Sequence, residues 1–212
     1  MRKLSTLTKS SLVTGAALAA AIGLAASPAS AAGTWTVTGG GSFKATASHP
    51  ILKDTNTGTT LNCTSSAAGG SATNGTGLSG TNIAAISSLS FTGCTGPAGI
   101  SFNVAPQGLP WHLNAVSYNA STGVTTGTLT GVIAKLTGLC NATFASPSGS
   151  TTGASLNATY TNGTHTLAIT GGNLKAYSVS GICLGLINNN DLAVFTGNYV
   201  VTPPTSLKLT SP

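Results

Sequence analysis

Beyond the first 31 residues, the apolar positions follow a two-residue alternation and not a helical repeat. Thr and Val in alternation, with β-branched residues spread throughout the chain, suit a pleated, half-buried sheet surface. Gly and Asn interrupt the pattern about every eight to twelve residues, a spacing typical of all-β domains. The pattern predicts an all-β fold, either an antiparallel β-sandwich or a closed β-barrel-like domain. The candidate strands are 34–38, 42–47, 59–66, 85–92, 100–105, 111–118, 124–136, 139–145, 155–161, 164–170, 173–180 and 192–201.

Residues 156–169 give the clearest hairpin. Apolar residues alternate on both sides of Asn162-Gly163, which is the favoured pair for a two-residue type I′ turn. Such a turn would pair Tyr160 with His165 on the apolar face of the hairpin. Asn157 and Thr159 would then face the other way.

The N-terminus has the pattern of a secretory leader. Arg2, Lys3 and Lys9 precede an apolar run over residues 11–26, and small residues up to Ala31 form a cleavage site. A membrane anchor fits less well, because the run is short and rich in Ala and Gly. The sequence therefore predicts a secreted, extracellular protein, with association with the cell wall left open. Its predicted parts are a signal peptide over 1–31, a single all-β domain over 32–202 and a C-terminal tail over 203–212.

Charge is scarce once the leader is set aside. The whole chain has a formal net charge of +6, and three of its cations belong to the leader. The remainder holds five scattered lysines against two aspartates, a net charge of +3, with no Glu and no Arg. Nucleic acids and anionic membranes require a dense basic patch, so neither is expected as a partner, and no integral membrane segment is expected after cleavage. The lysines are Lys44, Lys53, Lys135, Lys175 and Lys208.

All four cysteines follow the leader, which predicts two disulfides in an oxidising compartment. Three connectivities are possible. We favour Cys63–Cys94 with Cys140–Cys183, because each pair then brackets its own block of strands. A metal site is disfavoured, since the chain has no C-x-x-C and no His at ligand spacing from a Cys.

Catalytic groups are few. A pair of acid–base carboxylates could only be Asp54 and Asp191, and both fall in predicted turns. His49, His112 and His165 are interpreted as structural or surface residues, and no G-x-S-x-G motif is present. A calcium site in the Asn-rich segment before Asp191 would be weak with one formal charge. We therefore assign no catalytic residue, no metal and no cofactor.

The aromatic residues give the one specific hint of binding. Trp111 follows Pro110 at the start of a predicted strand, and Tyr118 ends that strand. If exposed, the two rings could stack on sugars as a carbohydrate-binding platform. The alternative is that Trp111 and Trp35 are both core anchors.

Four segments carry a resemblance to known proteins. They are TTLNCTSS at 59–66, LSFTGCTGP at 89–97, GLPW at 108–111 and SYNASTGV at 117–124. Together they resemble a group of small secreted actinobacterial proteins of uncharacterised function. The resemblance implies an exported, disulfide-bonded protein and carries over no catalytic residue.

These observations favour a secreted, non-enzymatic structural or interaction protein of the cell envelope or extracellular space. The alternatives are a carbohydrate-binding module that uses Trp111 and Tyr118, and, less favoured, a secreted hydrolase or inhibitor. The candidate partners are cell-wall or extracellular polysaccharide and further copies of the chain. Self-association is considered because the charged residues that usually block strand edges are scarce.

Overall fold

The computed structural model describes residues 34–202 and 207–212. The predicted signal peptide, residues 1–31, lies outside this part of the chain. The described residues form strands and one 3-10 turn, Pro97–Gly99, which confirms the predicted all-β fold. The strands are β1 (Trp35–Thr38), β2 (Gly41–Ser48), β3 (Ile51–Asp54), β4 (Thr60–Asn62), β5 (Ser65–Ala72), β6 (Gly75–Leu78), β7 (Ala84–Thr92), β8 (Cys94–Thr95), β9 (Ser101–Gln107), β10 (Trp111–Asn119), β11 (Val124–Gly138), β12 (Cys140–Ala145), β13 (Ala154–Thr161), β14 (Thr166–Gly172), β15 (Leu174–Gly181), β16 (Leu192–Thr202) and β17 (Lys208–Thr210).

Fourteen of these strands form one antiparallel sheet that closes on itself. In one half of the barrel the pairing order is β2, β5, β7, β10, β11, β13, β14, β16 and back to β2. In the other half the order is β3, β4, β8, β9, β11, β12, β15, β16 and back to β3. The fold is therefore the closed-barrel alternative of the two that the sequence predicted.

Two long strands run through both halves of the barrel. The first part of β11 pairs with β10 and β13, and its last residues pair with β9 and β12. The strand β16 likewise changes partners, from β3 and β15 near its start to β2 and β14 near its end. The other walls are made of two shorter strands laid end to end.

A small sheet of β17, β1 and β6 covers the end of the barrel where β2 begins, and we call it the lid. The Tyr160 hydroxyl donates to the Leu207 carbonyl at 3.0 Å. The Asn162 side chain exchanges two hydrogen bonds with the Leu209 backbone, at 2.8 and 2.9 Å. The segment that the sequence predicted as a tail thus contains a paired strand. Of that segment, residues 203–206 lie outside the described residues.

Apolar side chains fill the barrel interior, with Phe144, Leu136 and Leu156 almost completely buried. Along β13 and β2, buried and more exposed positions alternate, as a one-sided strand requires. An apolar void of about 70 Å³ remains at the centre. A second void of about 50 Å³ lies beneath the lid. An eight-stranded barrel is just wide enough for its side chains to fill it, and the side chains here leave these small voids.

The β13–β14 hairpin confirms the predicted faces but not the predicted turn. Tyr160 pairs with Leu167 and not with His165, so the loop holds four residues instead of two. The register moves by two residues, which leaves the buried face unchanged. The Asn162 side chain is engaged with Leu209, and His165 adopts the positive φ of the loop, 49°.

Both predicted disulfides form, Cys63–Cys94 and Cys140–Cys183. The first joins the β4–β5 junction to β8, and the second joins the start of β12 to the chain just after β15. Both lie in the half of the barrel away from the lid. No helix in the described residues has the length and apolarity needed to cross a membrane.

Candidate functional site

The two tryptophans are core residues, so the predicted sugar platform at Trp111 is wrong as an exposed surface. Trp35 and Trp111 are each only 4% exposed. The Trp111 indole N–H donates to the Gln107 carbonyl at 2.9 Å, which satisfies its polar group inside the fold. Neither ring presents a face on which a sugar could stack.

Tyr118 lies apart from Trp111, near the far end of β10. It borders a shallow depression formed by the β10–β11 hairpin, together with Asn119 and Val124. The Asn119 side chain accepts hydrogen bonds from the backbone N–H of Ser121 and Thr122, which fixes the hairpin turn there. The structure therefore does not bring the two predicted binding residues into one site.

The three histidines occupy different places. His49 stands between β2 and β3, and His112 lies on β10. His165 lies in the β13–β14 loop, where its Nδ1 is 3.3 Å from the Tyr160 hydroxyl. Among the described residues, no group of three or more His, Cys, Asp or Glu side chains is placed to hold a metal ion.

The fold does bring together the two aspartates, which the sequence analysis placed in separate turns. Asp54 ends β3 and pairs with Ala193 of β16, and Asp191 precedes Ala193 by two residues. The loops are joined around them. The Thr55 N–H donates to the Leu192 carbonyl at 2.7 Å, and the Leu192 N–H donates to Asn56 Oδ1 at 2.8 Å.

Both carboxylates are buried, Asp54 at 3% exposure and Asp191 at 8%. Asp54 Oδ1 accepts from the backbone N–H of Asn56 and Thr57, each at 2.9 Å. Asp54 Oδ2 is buried without a hydrogen-bond partner. Burial raises the pKa of Asp54, the two N–H donors lower it, and the neighbouring Asp191 carboxylate raises it further. The net pKa shift is upward.

Exposed aliphatic side chains gather at the same end, around the Cys140–Cys183 disulfide. We call Leu139, Ile182 and Leu184 the aliphatic patch; all three are exposed. The Ile182 N–H donates to the Leu139 carbonyl at 2.7 Å, so these two residues are held side by side. Gly181 permits this approach, because its φ is 85° and a Cβ there would collide with the Leu139 carbonyl oxygen.

Leu184 is held in an unfavourable conformation. Its φ is 51°, in the left-handed region that favours Gly and Asn, and its side chain is 75% exposed. The turn is fixed by the disulfide at Cys183 and by the Leu186 N–H, which donates to the Cys183 carbonyl at 2.8 Å. Neither burial nor backbone preference favours a leucine at this position.

Comparison with protein families gives one match, which covers almost the whole chain. A family model described as "Alkane oxidation protein activator PraA/PraB-like" matches residues 6–208. The chain belongs to this family. No curated protein and no solved structure matches it.

Membership of the PraA/PraB-like family indicates a biological process, whereas the resemblance to secreted actinobacterial proteins indicated none. That resemblance stays a prediction. The family description names activators of alkane oxidation. Sequence reasoning missed the aliphatic patch, although Leu139 and Leu184 each adjoin a cysteine of the second disulfide. That adjacency places the residues beside the disulfide but does not report their exposure.

Proposed function

We propose that this PraA/PraB-like protein is an exported, non-catalytic accessory protein of alkane oxidation, and that it contacts hydrocarbon through the aliphatic patch. Export is supported by the leader pattern and by the two disulfides. The activator description of the family supports an accessory role. The observation that carries the proposal is that Leu184 is exposed and has a left-handed backbone conformation.

Leu184 incurs two costs that folding does not require. A non-glycine residue in the left-handed region costs about 1–2 kcal/mol, and an exposed leucine forgoes the roughly 2 kcal/mol that its burial would contribute. Gly would fit the turn without either cost, and Asn would fit it with less strain than Leu. A strained, exposed side chain of this kind supports a role in contact with something outside the protein.

The backbone of the patch is also tied at several points, which favours binding. The disulfide fixes Cys183, the Ile182–Leu139 hydrogen bond joins the two neighbouring segments, and the turn at Leu186 fixes the following residues. Three aliphatic side chains are thus presented from turns that a covalent bond and backbone hydrogen bonds constrain. Little conformational entropy would be lost when they contact an apolar surface.

The barrel interior is a poorer candidate for hydrocarbon. Its void of about 70 Å³ is less than half of the roughly 150 Å³ cavity that admits benzene in an engineered protein. A long alkane would have to displace core side chains such as Phe144 and Leu136. We therefore place the contact on the surface.

The two aspartates support a non-catalytic role. Asp54 Oδ1 accepts from two backbone N–H groups, and Asp191 Oδ2 accepts from the Asn188 N–H at 2.7 Å and from its side-chain amide at 3.0 Å. Each carboxylate therefore has a structural task in its own loop. The chain contains no other carboxylate side chain.

The proposal is tested by partition of the purified protein between water and hexadecane. The test variant combines Leu139→Asn, Ile182→Thr and Leu184→Asn, and the control is Val116→Thr, which changes an exposed aliphatic residue on β10. One aliphatic side chain that leaves water contributes about 2 kcal/mol, or roughly thirtyfold in partition, so we expect the triple variant to lose at least about thirtyfold in interfacial partition. The control should behave as the wild type.

Equal partition of the test variant and the wild type would overturn the proposal. The same variants should be supplied to alkane-oxidising cells, where only the wild type and Val116→Thr should stimulate hexadecane consumption. Sedimentation velocity completes the test. If the patch variant converts oligomers to monomers and leaves partition unchanged, the patch joins copies of the chain and does not contact hydrocarbon.

A further inference from the structure

The Asp54 carboxyl group keeps one oxygen without a hydrogen-bond donor, and the Asp191 carboxyl group is its neighbour. Asp54 Oδ1 and Asp191 Oδ2 are already used by backbone and amide donors. Asp54 Oδ2 is buried with no partner, and the pairing of Asp54 with Ala193 brings Asp191, two residues before Ala193, close enough to raise the pKa of Asp54. Two ionised carboxylates this close repel each other, and burial strengthens the repulsion. A positive charge or a proton between them would relieve it.

We propose that Asp54 carries a proton on Oδ2 and donates it to the free oxygen of Asp191, so that one shared proton fastens the β3–β4 turn to the loop before β16. With this proton in place, Asp54 Oδ2 gains a partner and the two carboxyl groups carry one negative charge instead of two. The inference is independent of the proposed hydrocarbon contact.

Hydrogen bonds around this pair join the turn after β3 to the loop before β16. Thr57 Oγ1 donates to the Leu186 carbonyl at 2.8 Å, and the Thr55 hydroxyl donates to the Leu192 carbonyl at 3.0 Å. These bonds join chain segments that are 129 and 137 residues apart in the sequence. The carboxyl pair lies between them, so a change in its charge acts on the junction itself.

The charged groups nearby do not neutralise the pair. Among the residues that the structure describes, Asp191 is the charged neighbour that shifts the pKa of Asp54. Lys53 is the adjacent residue on β3, so it points to the opposite face and is exposed. Lys175 pairs with Leu192, but its ammonium lies over the Tyr177 ring at 5.5 Å. The histidines lie elsewhere.

A calcium ion is the competing occupant, and the ligand set is poor for it. Calcium takes about six to eight oxygen ligands. Of the four oxygens in the carboxyl pair, two already accept hydrogen bonds. A proton needs only the two that are left.

The shared proton gives the junction an unusual pH dependence. The pKa of Asp54 is raised above its ordinary value of 3.8, so the folded protein holds this proton more tightly than the unfolded chain does. Its contribution to stability is complete below about pH 4 and is lost as the pH rises through the raised value. Alkali, and not acid, should loosen this end of the barrel.

The direct test is a carbon-13 NMR titration of protein labelled at aspartate. The chain contains two acidic side chains in total, so only two side-chain carboxyl signals arise and each can be followed. We expect the Asp54 carboxyl carbon to titrate above its ordinary range. A midpoint at or below about 4 would overturn the proposal.

The matched variants are Asp54→Asn and Asp191→Asn. The amide introduced by Asp54→Asn keeps an oxygen that can accept from Asn56 and Thr57, and its N–H can donate to Asp191 as the shared proton does. Urea midpoints between about pH 4 and pH 8 should fall with rising pH in the wild type and stay flatter in either variant. At pH 8, Asp54→Asn should have a higher midpoint than the wild type. A slope that both variants retain would contradict the shared proton.

Calcium chloride supplies the last arm of the test. A midpoint at pH 8 that rises with calcium in the wild type, but not in Asp54→Asn, would place a cation between the carboxylates and overturn the proton. An unchanged wild-type midpoint supports the proton. Neither result depends on hexadecane binding, so failure of this inference is distinct from failure of the proposed function.

Discussion

The two ends of the barrel are closed in different ways. At one end the lid is held by strand pairing and by uncharged hydrogen bonds from Tyr160 and Asn162. At the other end the loops are held by the Cys140–Cys183 disulfide and the buried Asp54–Asp191 pair, and the aliphatic patch is exposed. The lid end buries Leu207 and Leu209, whereas the opposite end displays the aliphatic patch and is tied by a covalent bond. The lid end therefore serves to close the fold, whereas the opposite end is suited to contact with an apolar surface outside the protein.

Removing the second disulfide should have the largest effect. Cys140→Ser with Cys183→Ser opens a loop with a sequence separation of 43 residues, for which the chain-entropy model gives about 4 kcal/mol of stability. Urea denaturation should show this loss, and hydrogen exchange should accelerate first at Ile182. If exchange at the lid accelerated equally, the two ends would not be independent.

Breaking the lid clamp should have the next largest effect. Asn162→Ala removes both hydrogen bonds to the Leu209 backbone, and the unpaired backbone groups should cost about 2 kcal/mol. Exchange of the Leu209 N–H should rise while exchange near Cys183 stays slow. Asn157→Ala, at an exposed position on β13, is the matched control and should change little.

A smaller change at the lid is expected from Tyr160→Phe. The lost hydroxyl bond to the Leu207 carbonyl should cost about 1 kcal/mol near neutral pH. Burial raises the pKa of Tyr160 to about 12, so its contribution is kept below about pH 10 and lost as the pH rises toward 12. Alkaline unfolding followed by circular dichroism should therefore show a weaker dependence on pH in the variant. Tyr199→Phe is the comparison, since burial raises the pKa of that tyrosine to about 12 as well.

The smallest expected effect is a gain in stability. Leu184→Asn suits the left-handed backbone, so we expect the free energy of unfolding to rise by about 0.5–1 kcal/mol. Thermal unfolding would measure it, with Val200→Thr as the control at another exposed aliphatic position. A loss of stability would mean that Leu184 makes contacts that hold its loop, and it would weaken the case for an outward-facing role.

The local features of this fold could be predicted from the sequence, and the long-range ones could not. Alternation located most strands, and the two cysteine pairs followed from the blocks they enclose. The strand β17 was missed, although the alternation Leu207-Lys208-Leu209 is a short strand pattern in which the two leucines are buried. Its partner β1 lies at the opposite end of the domain in sequence, although the two strands are adjacent in space. No local sequence signal predicts a pairing between such distant segments.

The candidate site residues were also predicted only as far as local sequence allows. Asp54 and Asp191 were each recognised as turn residues, but their meeting depends on the register of β3 against β16. Trp111 was considered for exposure because its chemistry suits sugar, and its burial follows from packing that the sequence does not state. Leu184 could not be singled out, because neither its exposure nor its positive φ can be read from the pattern of residues.

The pairing of β1 with β17 has a practical consequence for orientation. Because Thr36 lies opposite Thr210, the described chain enters and leaves the barrel at the lid end. The aliphatic patch lies at the opposite end. A domain immobilised through a tag placed directly at Thr34 or at Pro212 would therefore present the aliphatic patch outward, toward the medium. A bead or membrane that carries it in this manner would display the same pole at every copy.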